Sequence, residues 1–336
     1  MRQRGHSGAR HREGQGREAG PAKDGASLRR THCEFMLNWS GLLIGLLVMT
    51  VDYLAFPDRI DSEAWNFLSK PQSQVWILMV SAQFALWGSV VFPLWRWKAE
   101  VKPPSGAQRP LVVRLKAILA ILFFAIPTYF FLHAIPDSGL AHHDAKLSLI
   151  NLVGAFVAIT AAAGIWNVRA TIEATFAKLR PDEGTGMMAK EWASDILRLR
   201  KKLQRFIGLL GAMVGLGTLT KGALRQAFLA SGGAPSLFPS EYVLIHGAYF
   251  SCLLALVYVP THALLAEVGN RLVDAVFPIA SSDLDLKKSA GWQADRKALE
   301  DLLQVGTAAT DDLRASLSIL APLATGIVSV WLGTKG

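Results

Sequence analysis

The stretch VWILMVSAQFALWGSVVFPLW, which runs from Val75 to Trp95, decides the fold of this chain. It contains no charged residue, and it matches the ~20 residues that an α-helix needs to cross the ~30 Å hydrocarbon core of a bilayer. The sequence Arg96-Trp97-Lys98 follows at once, and aromatic and basic residues typically anchor a helix at the membrane interface. The stretch therefore predicts a transmembrane helix.

Five further apolar runs of similar length occur along the chain. In chain order the six predicted spans are residues 35–56, 75–95, 115–135, 147–166, 206–224 and 242–265. Apolar residues make up 51% of the 336 residues, and charged residues make up only 18%, against about 25% in average globular proteins. Six such runs are too many for buried core helices in a soluble chain of this size. We therefore predict an all-α, polytopic helical membrane protein with six transmembrane helices.

The last apolar run, residues 317–332, is different from the others. It is shorter than a span, and it contains Pro322 and the small or polar residues Thr325, Gly326 and Ser329. These features suit a short re-entrant or interfacial segment, which makes residues 317–336 an apolar C-terminal segment. A seventh crossing is the alternative.

The basic residues predict the orientation. Cations are concentrated before the first span, between spans two and three, and before span five, whereas the intervening loops are acidic or poor in cations. Loops that retain Lys and Arg stay in the cytoplasm, so we predict a multi-pass protein of the plasma or inner membrane with its N-terminus inside. The same rule explains the net charge of +9 without a nucleic-acid partner.

The segments outside the spans divide the chain further. Residues 1–34 form a basic arm without apolar periodicity, which predicts disorder, unless translation starts at Met36. The predicted units after this arm are spans one to four within 35–166, a cytoplasmic helical hairpin at 167–205, spans five and six within 206–265, and a cytoplasmic C-terminal helical segment at 266–316. Within the last segment, a helix over about 293–317 is expected to join the hairpin.

The predicted hairpin has an apolar seam and a basic cluster. The seam residues, spaced as in a heptad, are Trp192, Ile196, Leu199, Leu203 and Phe206. The basic cluster, expected to face anionic lipid headgroups, consists of Arg198, Arg200, Lys201, Lys202 and Arg205. The hairpin either moves spans four and five when a partner binds or only buries its own apolar stripes, and the second interpretation is favoured.

Small residues predict close helix packing at two places. Gly41 and Gly45 form one such face on span one, and Gly208, Gly211 and Gly215 form another on span five. The segment 215–222 has the glycines and lysine of a phosphate loop, but the residues beside its lysine do not fit that motif. It is therefore interpreted as a packing surface.

Ionisable residues within apolar runs are candidates for function because their burial in lipid is costly. The candidates are His262, Glu267, His246 and Asp52, with His262 preferred because it lies one turn inside span six and close to Pro260. Interfacial placement is the alternative for each of them. Asn151 and Gln83 are expected to form hydrogen bonds between helices.

The sequence predicts no catalytic residue set, no cofactor and no metal site. The histidines and aspartates between residues 133 and 144 have irregular spacing, and the two cysteines, Cys33 and Cys252, have no metal-ligand spacing. We therefore expect a channel, pore or transport-related protein, with a membrane-anchored sensor or scaffold subunit as the alternative. An enzyme using His262 and Glu267 is least favoured. The expected partners are the lipid bilayer and its anionic headgroups, and a homo-oligomer or a cytoplasmic protein partner stays open.

Overall fold

The computed structural model of the chain describes residues 40–50, 62–101, 118, 121–127, 129, 142–176, 187–278, 286–303, 305 and 309–333. The helices are α1 (Ser40–Thr50), α2 (Ser62–Leu68), α3 (Pro71–Ala99), α4 (His143–Phe176), α5 (Met187–Ala230), α6 (Ser240–Val276), α7 (Leu286–Leu303) and α8 (Ala309–Gly333), with a π-helical turn at Ile121–Ala125. Every regular element in the described part of the chain is helical. The all-α prediction is therefore confirmed for these residues.

Four helices, α3, α4, α5 and α6, are long and apolar enough to cross a membrane. They contain the second, fourth, fifth and sixth predicted spans. Of the first predicted span, only the shorter apolar helix α1 is described, and most of the third lies outside the described residues. The structure thus supports a helical membrane protein with four candidate spans.

The outer surface of these helices is apolar. Leu78 on α3, Phe156 on α4 and Leu256 on α6 are all more than half exposed, and many other large apolar side chains share this exposure. A soluble protein rarely leaves so many large apolar side chains in water, since contiguous exposed patches usually mark a contact surface. This surface fits contact with lipid tails.

Helix α5 is the centre of the bundle. It contacts α2, α3, α4, α6, α7 and α8. Its 44 residues give a length of about 66 Å, roughly twice the thickness of the hydrocarbon core. Helices α3 and α6 run antiparallel to it, so the α5–α6 connection at 231–239 marks one end of the bundle and Glu100 marks the other. These are called the 231–239 end and the Glu100 end.

Helix α8 packs along α5 and α6 through small residues. A Cβ atom at Gly211 of α5 would meet the backbone of Ser318, and one at Gly222 would meet the side chain of Ser329. The two pairs advance together along the chain, so α8 runs parallel to α5. Gly247 of α6 approaches the backbone of Pro322 from the other side. Residues 317–332, expected to form a short re-entrant or interfacial segment, belong to one continuous helix of 25 residues, and the apolar part of this helix, Ser316–Ser329, is shorter than the four candidate spans.

The prediction of a single helix over about 293–317 is wrong. The chain forms two helices there, because α7 ends at Leu303 and α8 begins at Ala309. Arg200 explains the break in part, since its Nη1 donates a hydrogen bond of 2.5 Å to the carbonyl oxygen of Leu303, the last residue of α7. A side-chain donor at this position satisfies a carbonyl group that a helix end leaves open.

The seam residues lie inside the α4–α5 hairpin. Ile196, Leu199, Leu203 and Phe206 are buried, and Trp192 packs partly buried against them. They belong to the same apolar cluster as four buried residues of α4, the helix that α5 contacts here, namely Ile165, Val168, Ile172 and Phe176. Gly164 makes room for the Phe206 ring, because a Cβ atom there would lie 2.5 Å from its Cε1. Residues 177–186, which connect the two helices of the hairpin, lie outside the described residues.

Two residues of the basic cluster, Arg200 and Lys202, are buried and do not lie on the surface where they were expected. Arg200 is only 5% exposed and is held by Leu303, and Lys202 is also buried, where its Nζ lies 3.1 Å from Oε2 of Glu100. Each cation reaches a neighbouring element of the protein, so neither faces lipid headgroups. Arg198 and Lys201 are exposed, and the exposed Arg205 lies 5.7 Å from the centre of the Trp97 ring.

Candidate functional site

A cavity of about 110 Å³ lies among α3, α4, α5 and α6 near the 231–239 end. Its wall is mostly apolar and includes the indole rings of Trp76 and Trp87. The polar side chains in the described lining are Gln83, Asn151, Thr220, Lys221 and His246. An apolar wall with a few convergent polar groups is the usual composition of a binding site.

Lys221 and His246 join α5 to α6 inside this cavity. The Nζ atom of Lys221 lies 2.8 Å from Nδ1 of His246, and both side chains are part-buried. The His246 ring also packs edge-on against Phe250, with 4.6 Å between ring centres. When the lysine is an ammonium, it can only donate, so Nδ1 accepts and the ring proton lies on Nε2. Two basic groups thus share one hydrogen bond within apolar helices.

Gln83 brings an amide to the same cavity from α3. Its side chain is 4% exposed, and within the described part of the chain its Oε1 has no hydrogen-bond partner. Gly217 of α5 makes room for this amide, since a Cβ atom there would lie 3.2 Å from Nε2 of Gln83. A buried polar group without a partner costs about 1–3 kcal/mol, so this amide is suited to a ligand or water in the cavity.

Two other polar residues complete the lining. The hydroxyl group of Thr220 donates to the carbonyl oxygen of Leu216 at 2.9 Å, which leaves its lone pair available as an acceptor. Asn151 contributes a second amide from α4. Gly154, one turn further along α4, makes room for the Trp87 ring in the cavity wall. A Cβ atom at Gly154 would lie 2.9 Å from Cζ2 of Trp87. Glycines therefore shape the cavity on two sides.

Helix α5 connects this cavity with the Glu100 end. Lys202 and Lys221 are on the same helix and about 28 Å apart along its axis. The hydrogen bond from Lys202, together with one from Arg96, lowers the pKa of the Glu100 carboxyl group below its ordinary value of 4.5. An ion pair between Lys202 and Glu100 thereby joins the end of α3 to the middle of α5.

The other predicted polar residues lie apart from the cavity. His262 stacks on Tyr258 with 5.3 Å between ring centres, and it is about 24 Å from His246 along α6. Glu267 is exposed and pairs with Arg271 at 2.5 Å. Asp52 lies outside the described residues. Of the three candidates that the structure describes, only His246 lines the cavity.

The predicted packing glycines contact two different helices. Gly41 and Gly45 of α1 lie against the backbone of α3, at Phe84 and Ser81 respectively. Gly211 and Gly215 lie against α8, whereas a Cβ atom at Gly208 would meet nothing within 4 Å. Gly208 therefore does not share the close approach of the other glycines.

Metal ligands do not converge in the described part of the chain, where no group of three or more His, Cys, Asp or Glu side chains could hold an ion. Cys252 is exposed on α6, and Cys33 lies outside the described residues. His143 is buried at the start of α4, beside the exposed His142. Asp144 is exposed on the first turn of α4, and His133 and Asp137, the remaining histidine and aspartate between residues 133 and 144, fall outside the described residues.

Lys221 is the polar residue of the cavity that the sequence patterns do not single out. It lies in segment 215–222, whose glycines favour a packing surface and draw attention away from the lysine. The available signal was a single lysine near the end of a long apolar run, which marks a candidate site in a membrane helix. Its pairing with His246, 25 positions away, requires the α5–α6 hairpin and cannot be read from local spacing.

Comparison of the chain with protein-family models, curated proteins and solved structures gave no significant match.

Proposed function

We propose that this protein is a channel, pore or transport-related membrane protein, and that its pathway for a small solute or ion passes through the cavity. The observation that carries the proposal is the hydrogen bond between Lys221 and His246 at 2.8 Å within two apolar helices. Ionisable groups in transmembrane segments are rare and costly, and they usually mark ion or substrate pathways. A structural role alone would be served at lower cost by apolar residues.

The proposed topology gives this cavity a position in the membrane. With six spans and a cytoplasmic N-terminus in the cell membrane, the 231–239 end faces outwards and the Glu100 end faces the cytoplasm. The cavity then lies in the outer half of the bilayer. A solute would enter from the outside and meet Lys221 and His246 before it reaches the tightly packed α4–α5 seam.

Flux through reconstituted protein tests the proposal. Liposomes with purified protein should pass at least one class of small ion or solute faster than protein-free liposomes, and Lys221→Met should reduce this flux at least tenfold, since it removes the ionisable group that faces the pathway. Lys201→Met is the matched control, because it removes an exposed lysine from the same helix. Equal flux with and without protein for every class tested would reject the proposal.

A sensor or scaffold subunit is the second candidate, and the lengths of α4 and α5 favour it. These helices have 34 and 44 residues, far more than a crossing needs, and their extensions form a packed hairpin. Such a hairpin offers a surface for a cytoplasmic protein or for a second copy of the chain. Full-length protein solubilised from its own membranes should then retain one defined partner, and reversal of the exposed charges at Glu191 and Arg198 should release it.

A membrane enzyme is not proposed, because Glu267 pairs with Arg271 on the surface.

A further inference from the structure

We infer that the cavity binds a small uncharged solute of about four heavy atoms, whose N–H or O–H group donates a hydrogen bond to Gln83. Acetamide, urea and ethylene glycol belong to this class. As the transported species, such a solute rests on the proposed function, whereas its binding can be measured without transport. The inference follows from the acceptor groups, the charge and the size of the cavity.

Gln83 gives the cavity a buried hydrogen-bond acceptor. Its side chain is 4% exposed, and its Oε1 atom accepts no hydrogen bond from the described residues. Its Nε2 atom lies on the side of Gly217 in α5, where a Cβ atom would come within 3.2 Å of it. A buried polar group without a hydrogen bond is costly, so a ligand that donates to Oε1 supplies the bond that the helices leave unmade.

Two further polar side chains extend this site to the neighbouring helices. The Thr220 hydroxyl group donates to the carbonyl oxygen of Leu216 at 2.9 Å, so a lone pair on the Thr220 oxygen remains as an acceptor. Asn151 on α4 lines the same cavity and carries both an NH₂ group and a carbonyl oxygen. An amide or a diol, which both donates and accepts hydrogen bonds, matches this combination of groups.

An uncharged ligand suits this lining better than an ion does. The described lining residues include no carboxylate that could pair with a cation. The two basic side chains already have partners within the protein, since Lys221 bonds to His246 at 2.8 Å and the His246 ring packs against Phe250. Moving an unpaired ion from water into an apolar surrounding costs far more than moving a neutral polar group. The lining therefore favours a neutral solute.

The size of the cavity limits this solute further. An apolar cavity of about 150 Å³ in another protein binds benzene, a molecule of six carbon atoms. In proportion, the volume of about 110 Å³ suits a molecule of about four heavy atoms. Sites for drug-sized ligands are typically about 300–1,000 Å³, so a nucleotide or a sugar is too large. The rings of Trp76 and Trp87 supply an apolar wall for the carbon atoms of the solute.

Four probe molecules of nearly the same shape test the inference on the unaltered protein. Acetamide is uncharged and has N–H donors, acetone is uncharged without a donor, acetate is an anion, and acetamidinium is a cation. Each probe is titrated into purified full-length protein in detergent, and NMR saturation transfer from the protein to its methyl protons is measured, with protein-free micelles as background. Acetamide should bind about threefold or more tightly than each of the other three. Equal or tighter binding of any of these three, or no binding of acetamide, would overturn the inference.

Gln83→Met tests the residue on which the inference depends, because methionine is about as long as glutamine but has no strong hydrogen-bonding group. The affinity for acetamide should fall about threefold or more, whereas the affinity for acetone should stay the same. Gln74→Met is the matched control, since it changes an exposed glutamine of the same helix and should leave both affinities unchanged. Unchanged acetamide affinity in folded Gln83→Met contradicts the inference. If this variant does not fold, the four probes still decide, because they need no variant.

Flux in liposomes separates this inference from the proposed function. Acetamide binding accompanied by acetamide flux supports both. Acetamide binding without flux of any solute supports the binding site and rejects transport. Flux of an ion, without acetamide binding, overturns the binding site and leaves transport standing.

Discussion

The packing of α8 on α5 makes a prediction that can be worked out from the structure. A methyl group added by Gly211→Ala would lie 3.0 Å from the carbonyl carbon of Ser318 and 3.1 Å from its Cα. Carbon atoms prefer separations of about 3.5–4.0 Å, so α8 would have to move away by roughly half an ångström or more. Both obstructing atoms belong to the backbone, so no side-chain rotation can relieve the overlap.

The expected magnitude follows from two opposing effects. Overpacking of a tight interface costs about 1–3 kcal/mol, whereas replacing glycine by alanine within a helix gains up to ~1 kcal/mol. Gly208→Ala on the same helix is the matched control, since its Cβ atom would meet nothing within 4 Å. The helix gain is common to both variants, so their difference reports packing alone. We expect Gly211→Ala to be less stable than Gly208→Ala by about 1–3 kcal/mol.

Equilibrium unfolding of both variants in the same detergent, followed by circular dichroism, measures this difference. A parallel measurement of hydrogen exchange over 309–333 should show lost protection in Gly211→Ala only. If the two variants unfold at the same denaturant concentration, α8 does not pack on α5 as the structure has it, and the reasoning fails.

Three further predictions concern the two ends of the bundle. Because the Lys202 hydrogen bond lowers the pKa of Glu100, its stabilising effect should be present above the unfolded-state pKa and be lost as the pH falls through the folded-state pKa. Thermal unfolding between about pH 3 and 7 should therefore separate the unaltered protein from Glu100→Gln near neutral pH, with the two curves meeting in acid. Arg296→Ala removes the bonds of 2.7 Å to Asp274 and 2.9 Å to Glu300, and should lower hydrogen-exchange protection in α7 without changing that of α3. Gly154→Ala should press on the Trp87 ring, because the added Cβ atom would lie 2.9 Å from its Cζ2, and should destabilise the protein by about 1–3 kcal/mol; an unchanged thermal unfolding temperature would contradict this packing.

The sequence predicts the long helices well because their signal is local. An uninterrupted run such as 75–95 carries its own evidence, since burial in lipid depends on length and composition alone. The heptad seam is similar: the spacing of Ile196, Leu199 and Leu203 already puts them on one face, and they are buried.

What the sequence cannot provide depends on contacts between distant segments. Arg200 and Lys202 look like surface cations, and only their neighbours at Leu303 and Glu100 turn them inwards. The apolar run at 317–332 looks too short for a full helix, because the polar turns that precede it in α8 lower its apparent length. The site itself needs three helices to bring Gln83, Lys221 and His246 together, and no periodicity encodes that meeting.

Cysteine accessibility tests most directly whether a water-accessible cavity with a few polar side chains lies among the long apolar helices. In a protein without Cys33 and Cys252, single cysteines would replace Asn151, which lines the cavity, and its neighbour Leu152, which is 51% exposed on the lipid-facing surface. Leu237→Cys in the 231–239 connection is the positive control. In sealed vesicles of known orientation, a membrane-impermeant thiol reagent should label positions 237 and 151 and leave 152 unlabelled. Labelling at 237 alone, or equal labelling at 151 and 152, would contradict the account.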